Sequence, residues 1–142
     1  MFLNLALVAI ALMVTGSAVA ATTLENLQTA YNGESNAQAK YLAFAGKAQD
    51  EGYLRVASLF RAAARAEQIH VRNHAEVIRK MGGAPRAEVN APEVRTTLEN
   101  LQTAIEGEKY ESDQMYPGFL ALARAEKNTR AVRTFNLARQ VE

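Results

Sequence analysis

The chain has 142 residues and no cysteine, which excludes disulfide staples, zinc knuckles and every thiolate-held iron or zinc site. Sixteen Lys and Arg against fifteen Asp and Glu leave a formal charge of +1 with no basic block, so nucleic acid is not an expected partner. The length suits one domain, and the prevalence of Ala, Leu, Glu, Arg and Gln over Pro favours helix throughout.

Residues 1–20 stand apart. Phe2 to Val14 is apolar except for Asn4, no charged side chain occurs before Ala20, and the run closes on the small residues Ala18-Val19-Ala20. The apolar run is too short for a bilayer, which needs about 20 helical residues. It reads as a secretory signal cleaved after Ala20, although its amino-terminal part lacks Lys and Arg. The mature domain is then 21–142, exported and expected in the periplasm, with no stable membrane span after cleavage.

The remainder repeats itself. Thr22-Thr23-Leu24-Glu25-Asn26-Leu27-Gln28-Thr29-Ala30 recurs letter for letter from Thr96 to Ala104, followed by the pairs Gly33-Glu34 and Gly107-Glu108, Phe44 and Phe119, Phe60 and Phe135. The chain is two copies of one helical hairpin. Each copy opens on a capping box, Thr22 with Glu25 and Thr96 with Glu99.

The first helix runs to about Glu51 and is ended by Gly52; the second runs from about Leu54 to Met81 and is ended by Gly82-Gly83. Gly83 to Arg95 contains Pro85 and Pro92 and reads as a linker. A third helix spans Thr97 to about Ala125, and a fourth begins near Thr129. A linker of that length, nearly extended, reaches ~45 Å. The helix before it is ~42 Å long. Short hairpin turns with one long crossover define an all-α, ferritin-like four-helix bundle, its fourth helix expected to be truncated at Glu142.

Polar residues fall on the stripes that should be buried. In helix one the stripe takes Leu27, Ala30, Ala37, Tyr41, Ala45 and Ala48, with Glu34 among them. In helix two it takes Val56, Leu59, Ala63, Val77 and Met81 and passes through Glu67, His70 and His74. Helix three carries Leu101, Ala104 and Phe119 with Glu108 and Glu111 one turn apart, and helix four carries Phe135 and Ala138 and reaches Glu142. Unpaired carboxylates in a core are costly, whereas a divalent cation offsets that cost and prefers clustered carboxylate oxygen with imidazole. Glu67-x-x-His70 places both groups on one helix face, where they can reach a single ion. His74, one turn further on, is expected to have a structural, hydrogen-bonded role. Gly33 and Gly107 each precede a candidate ligand, as if backbone room were needed there. Phe44 follows Glu34 by ten positions but Phe119 follows Glu108 by eleven, and an extra residue inside a helix is usually absorbed as a π turn.

Three segments carry a family resemblance: Tyr31-Asn32-Gly33-Glu34-Ser35 through Tyr41; Ala66-Glu67-Gln68-Ile69-His70; and Ile105-Glu106-Gly107-Glu108-Lys109-Tyr110-Glu111 with Met115-Tyr116-Pro117. Together they resemble rubrerythrin from about Thr22 onward. The resemblance implies a di-iron site, with manganese or mixed occupancy compatible, held by Glu34, Glu67, His70, Glu108, Glu111 and Glu142. It implies that Tyr41 and Tyr116 hydrogen-bond the ligating carboxylates, and that the activity is reduction of hydrogen peroxide as a defence against oxidative stress. Two departures follow. With no cysteine there is no rubredoxin domain, so a separate protein or small reductant must donate electrons. The family continues Glu-x-x-His where this chain stops at Glu142. An iron-binding or ferroxidase protein and a metal-free helical relic are the alternatives. A homodimer is expected, because a short fourth helix leaves apolar surface uncovered.

Overall fold

The computed structural model describes residues 21–141, so the signal-peptide reading of 1–20 and the ligand role of Glu142 lie outside the described residues. Helix α1 spans Thr23–Asp50, α2 Leu54–Lys80, α3 Thr97–Tyr110, α4 Tyr116–Ala125 and α5 Thr129–Arg139, and a π turn at Glu111–Met115 joins α3 to α4. There is no strand among the described residues, and none of their helices is long and apolar enough to cross a membrane. The all-α bundle of two hairpins and a crossover is therefore the observed fold, with α5 at 11 residues against 28 in α1.

Both capping boxes form. The Thr22 side chain accepts from the Glu25 amide and the Glu25 carboxylate accepts from the Thr22 amide; Thr96 and Glu99 repeat the pattern. The hairpin turns correspond too. Gly52 has φ +83°, and Lys127, its counterpart in the second hairpin, has φ +56°. At each turn a glutamate reaches across to the other hairpin. Glu51 accepts from the Thr97 amide at 2.9 Å and Glu126 from the Thr23 amide at 3.3 Å, so each hairpin closes the free helix start of its sister.

The crossover is held by a device the periodicity does not announce. Gln28, Asn32 and Asn36 recur every fourth residue on one face of α1. Gln28 accepts from the Arg86 amide at 3.2 Å, Asn32 from Glu88 at 2.8 Å and Asn36 from Asn90 at 3.0 Å, while Asn36 also donates to the Glu88 carbonyl at 2.8 Å. These amides meet the backbone groups that an extended segment would otherwise leave to water. Replacing Asn32 and Asn36 together by Ala should leave helical content unchanged but increase amide exchange and proteolysis between Ala84 and Asn90. Each lost bond is worth about 1 kcal/mol.

Two aromatic clusters flank the bundle centre. Tyr41, Phe44 and Phe60 form one, with Phe44 and Phe60 edge-to-face at 5.4 Å. Their repeat counterparts Tyr116, Phe119 and Phe135 form the other, with Phe119 and Phe135 5.5 Å apart. The first cluster corrects the stripe expected on α2. Ala57, Phe60 and Ala64 are buried, whereas Leu59 is 59% exposed and Val56 and Ala63 are only partly covered. Phe60 is drawn onto Tyr41 and Phe44, and α5 packs on the other end of α2, so nothing in the described chain covers the Leu59 side. Leu101 and Ala104 on α3 are half-buried for the same reason.

Candidate metal centre

Between the clusters the bundle is polar. Glu34 projects from the middle of α1 and is completely buried, at 0% exposure. Glu67 and His70 come from adjacent turns of α2 and are buried as well. Ligand atoms of these three residues all lie within 4.8 Å of one another. His70 Nδ1 is 3.1 Å from Glu67 Oε2 and 3.6 Å from Glu34 Oε2. Glu108 on α3 and Glu111 at the start of the π turn stand around this trio, outside its tightest grouping.

The tyrosines cross between hairpins. Tyr116 donates to Glu34 Oε1 and Tyr41 donates to Glu108 Oε1, so each hairpin's tyrosine holds the other hairpin's glutamate. Burial, the Glu108 hydrogen bond and the surrounding carboxylates keep the Tyr41 phenol protonated by raising its pKa. The π turn forms where the extra residue predicts it, and its freed Ser112 carbonyl accepts from Arg139 Nε of α5 at 2.9 Å. Gly33 and Gly107 do not provide the room expected of them: a Cβ at either would meet nothing within 4 Å. Nothing in the structure explains those glycines.

The charges are mutually dependent. Burial, a hydrogen bond with the Glu34 carboxylate and the charges of Glu34, Glu108 and Glu111 push Glu67 up to about 11. Burial and the charges of Glu34 and Glu108 push Glu111 up to about 8. Burial opposes the charge on Glu34 as well, but hydrogen bonds with His70, His74, Glu67 and Tyr116 outweigh it and hold that carboxyl well below its usual range. Without a cation, then, protons keep the cluster from flying apart electrostatically. Glu34 Oε2 is fully buried and has no hydrogen-bond partner in the protein, His70 Nδ1 standing 3.6 Å away. Two facing carboxylates and the imidazole of His70 form an oxygen-rich donor set that suits iron or manganese, and the residues fit such an ion.

His74 takes the hydrogen-bonded position expected of it, 3.1 Å from Tyr116 Oη and 3.0 Å from Thr134 Oγ1. Thr134 escaped sequence reasoning. Its only signal is a hydroxyl at an inward position of α5, legible once His74 is known to need a second partner. A groove of about 520 Å³ between α2 and α3 opens onto Tyr41, Glu67 and Glu108, with Leu59, Leu101 and Ile105 in its walls.

A four-helix bundle of two repeated hairpins with buried Glu and Glu-x-x-His facing each other across its axis defines a ferritin-like protein with a carboxylate–histidine centre. The rubrerythrin family model matches residues 25–142, and the chain belongs to the rubrerythrin family. It is 41% identical over 122 residues to nigerythrin of Nitratidesulfovibrio vulgaris, covering 85% of this chain and 60% of that protein. It is 36% identical over 129 residues to rubrerythrin-2 of Clostridium acetobutylicum, covering 86% and 67%. The solved structure of fully reduced, all-ferrous nigerythrin superposes with a TM-score of 0.77 at 38% identity, covering 87% of this chain and 61% of that one. The chain thus spans about three-fifths of nigerythrin's length.

Proposed function

We propose that this chain is a di-iron oxidoreductase that reduces hydrogen peroxide, with Glu34, Glu67, His70, Glu108, Glu111 and Glu142 as the iron ligands. The observation that carries this reading is the buried Glu34 Oε2, facing Glu67 and His70 in a position only a proton or a cation can satisfy. All-ferrous nigerythrin, which shares the fold, supports iron as the metal. Two ferrous ions, when bound, would supply together the two electrons that turn hydrogen peroxide into water. The protein's part is to hold and orient. Tyr41 and Tyr116 each fix one oxygen of a ligating carboxylate, leaving the second free for metal. The groove over Tyr41, Glu67 and Glu108, about 520 Å³, has room to admit a small oxidant.

The test is to load the chain anaerobically with Fe(II) and compare oxidation by peroxide with oxidation by dioxygen. Oxidation should be far faster with peroxide, with two irons oxidised per peroxide. Equal or reversed rates would assign the centre to ferroxidase or iron-storage chemistry.

A separate donor protein or a small reductant is proposed as the source of electrons, because residues 1–142 hold no cysteine for an iron–thiolate relay. We further propose export, on the strength of residues 1–20, and a homodimer, because Leu59 and Ile105 are 59% and 58% exposed beside the groove. Cell fractionation with amino-terminal sequencing tests the first, and light scattering the second.

A further inference from the structure

His74 is not placed like a ligand. Its Nε2 lies 3.8 Å from Glu34 Oε1 but 3.1 Å from Tyr116 Oη, and its Nδ1 faces Thr134 Oγ1 at 3.0 Å. Thr134, His74, Tyr116 and Glu34 are all buried, at 4%, 0%, 0% and 0% exposure, so each of these contacts is made away from bulk water. The repeat equivalent of Thr134 is Leu59, so the first hairpin has no hydroxyl at this position.

The direction of the chain follows from counting protons. A phenol has one, and Tyr116 gives it to Glu34 Oε1. Toward His74 the phenol oxygen can therefore only accept, which requires a proton on Nε2. A neutral ring protonated on Nε2 has a bare Nδ1, and the group facing it, the Thr134 hydroxyl, must donate.

We propose that Thr134, His74 and Tyr116 form a one-way chain of donors running from α5 to Glu34. The chain occupies Oε1 and turns Oε2 toward the metal, which makes Thr134 and His74 positioning residues of the centre. The inference rests on the metal reading above, because a ligating Glu34 is ionised and so accepts. The imidazole orients a carboxylate through a phenol here, an outer layer of the kind whose loss costs about tenfold or more in metal affinity.

The test uses the whole chain, labelled with ¹⁵N-histidine, metal-free and loaded with Zn(II) as a diamagnetic probe. With two histidines in the sequence, a His74→Gln spectrum assigns the signals. His74 should carry its proton on Nε2 alone in both states, with Nδ1 showing the shift of a hydrogen-bonded acceptor. Thr134→Val should weaken zinc binding by about tenfold, and Thr134→Ser should restore it. A proton on Nδ1, or on both nitrogens, would overturn the donor chain even if zinc binds well. Serine as weak as valine would reduce Thr134 to packing and overturn its positioning role. A correct Nε2 signal in a wild type that retains no zinc would instead overturn the metal reading, and with it the role assigned to Oε2.

Discussion

Glu67→Gln is expected to abolish iron retention while making the metal-free protein more stable at neutral pH. In the folded, metal-free chain Glu67 is pushed up to about 11 by burial and by the carboxylates facing it. At pH 7 it must therefore take up a proton that it does not hold when unfolded. With an unfolded value of 4.5, that uptake costs on the order of 3 kcal/mol. Glutamine needs no such proton, can still donate to Glu34, and nearly preserves the volume. Chemical denaturation at pH 7 should show the gain, and iron analysis after desalting should show the loss. A Glu67→Gln protein less stable than the wild type would mean that the carboxylate is held by something other than its neighbours' repulsion.

The same reasoning gives the pH dependence. The folded pKa values of Glu67 and Glu111 lie above their unfolded values, so the folded metal-free state binds more protons than the unfolded one. Its stability from these groups is present below about pH 4.5 and is lost as pH rises, through about 8 for Glu111 and further toward 11 for Glu67. Glu34, whose value is lowered, acts in the opposite sense and loses its contribution only as pH falls below the usual carboxylate range. The metal-free bundle should therefore be more stable at pH 5.5 than at pH 8.5. Metal reverses the trend, because ligation displaces protons. Calorimetry at pH 7 in buffers of different ionisation enthalpy should record about two protons released per chain, from Glu67 and Glu111. A metal-free stability that rises from pH 5.5 to 8.5 would contradict this picture of the centre.

Deleting Asp113 should have the other large effect. The residue is exposed and lies inside the π turn, so its removal lets Thr97 to Ala125 close as one regular helix. Each residue of helix subtends about 100°. The deletion must therefore rotate Glu108 and Glu111 by that amount against Tyr116, Leu120 and the rest of the core. The larger apolar cluster around Tyr116, Leu120 and Phe135 should keep its place, since it is fully buried. The carboxylates should then leave the centre. The expected outcome is a helical protein, by circular dichroism, with lowered stability and no tightly held iron. Full iron retention would show that the extra residue is accommodated elsewhere.

Much of this molecule is legible from the order of its residues alone. The duplicated Thr-Thr-Leu-Glu segment marked both helix starts because a capping box is a local structure, made by residues three apart. The one-residue difference between the repeats located the π turn because helical geometry leaves an insertion few other places to go. Glu34, Glu67 and His70 were found together because buried charge on an apolar stripe needs a partner, and the repeat turned three isolated coincidences into one centre.

What the tertiary structure alone decided concerns rotation and distance. The burial of Phe60 rather than Leu59 depends on Tyr41 and Phe44 lying opposite, and a stripe read from one helix cannot know its neighbour. The three amides that hold the crossover serve backbone groups more than fifty residues away. The crossed pairing of Tyr41 with Glu108 and Tyr116 with Glu34, and the Thr134 hydroxyl on His74, join helices from different hairpins. Periodicity fixes which residues share a face of one helix. Which atoms meet across the core depends on how the helices pack, and that is set by every side chain between them at once.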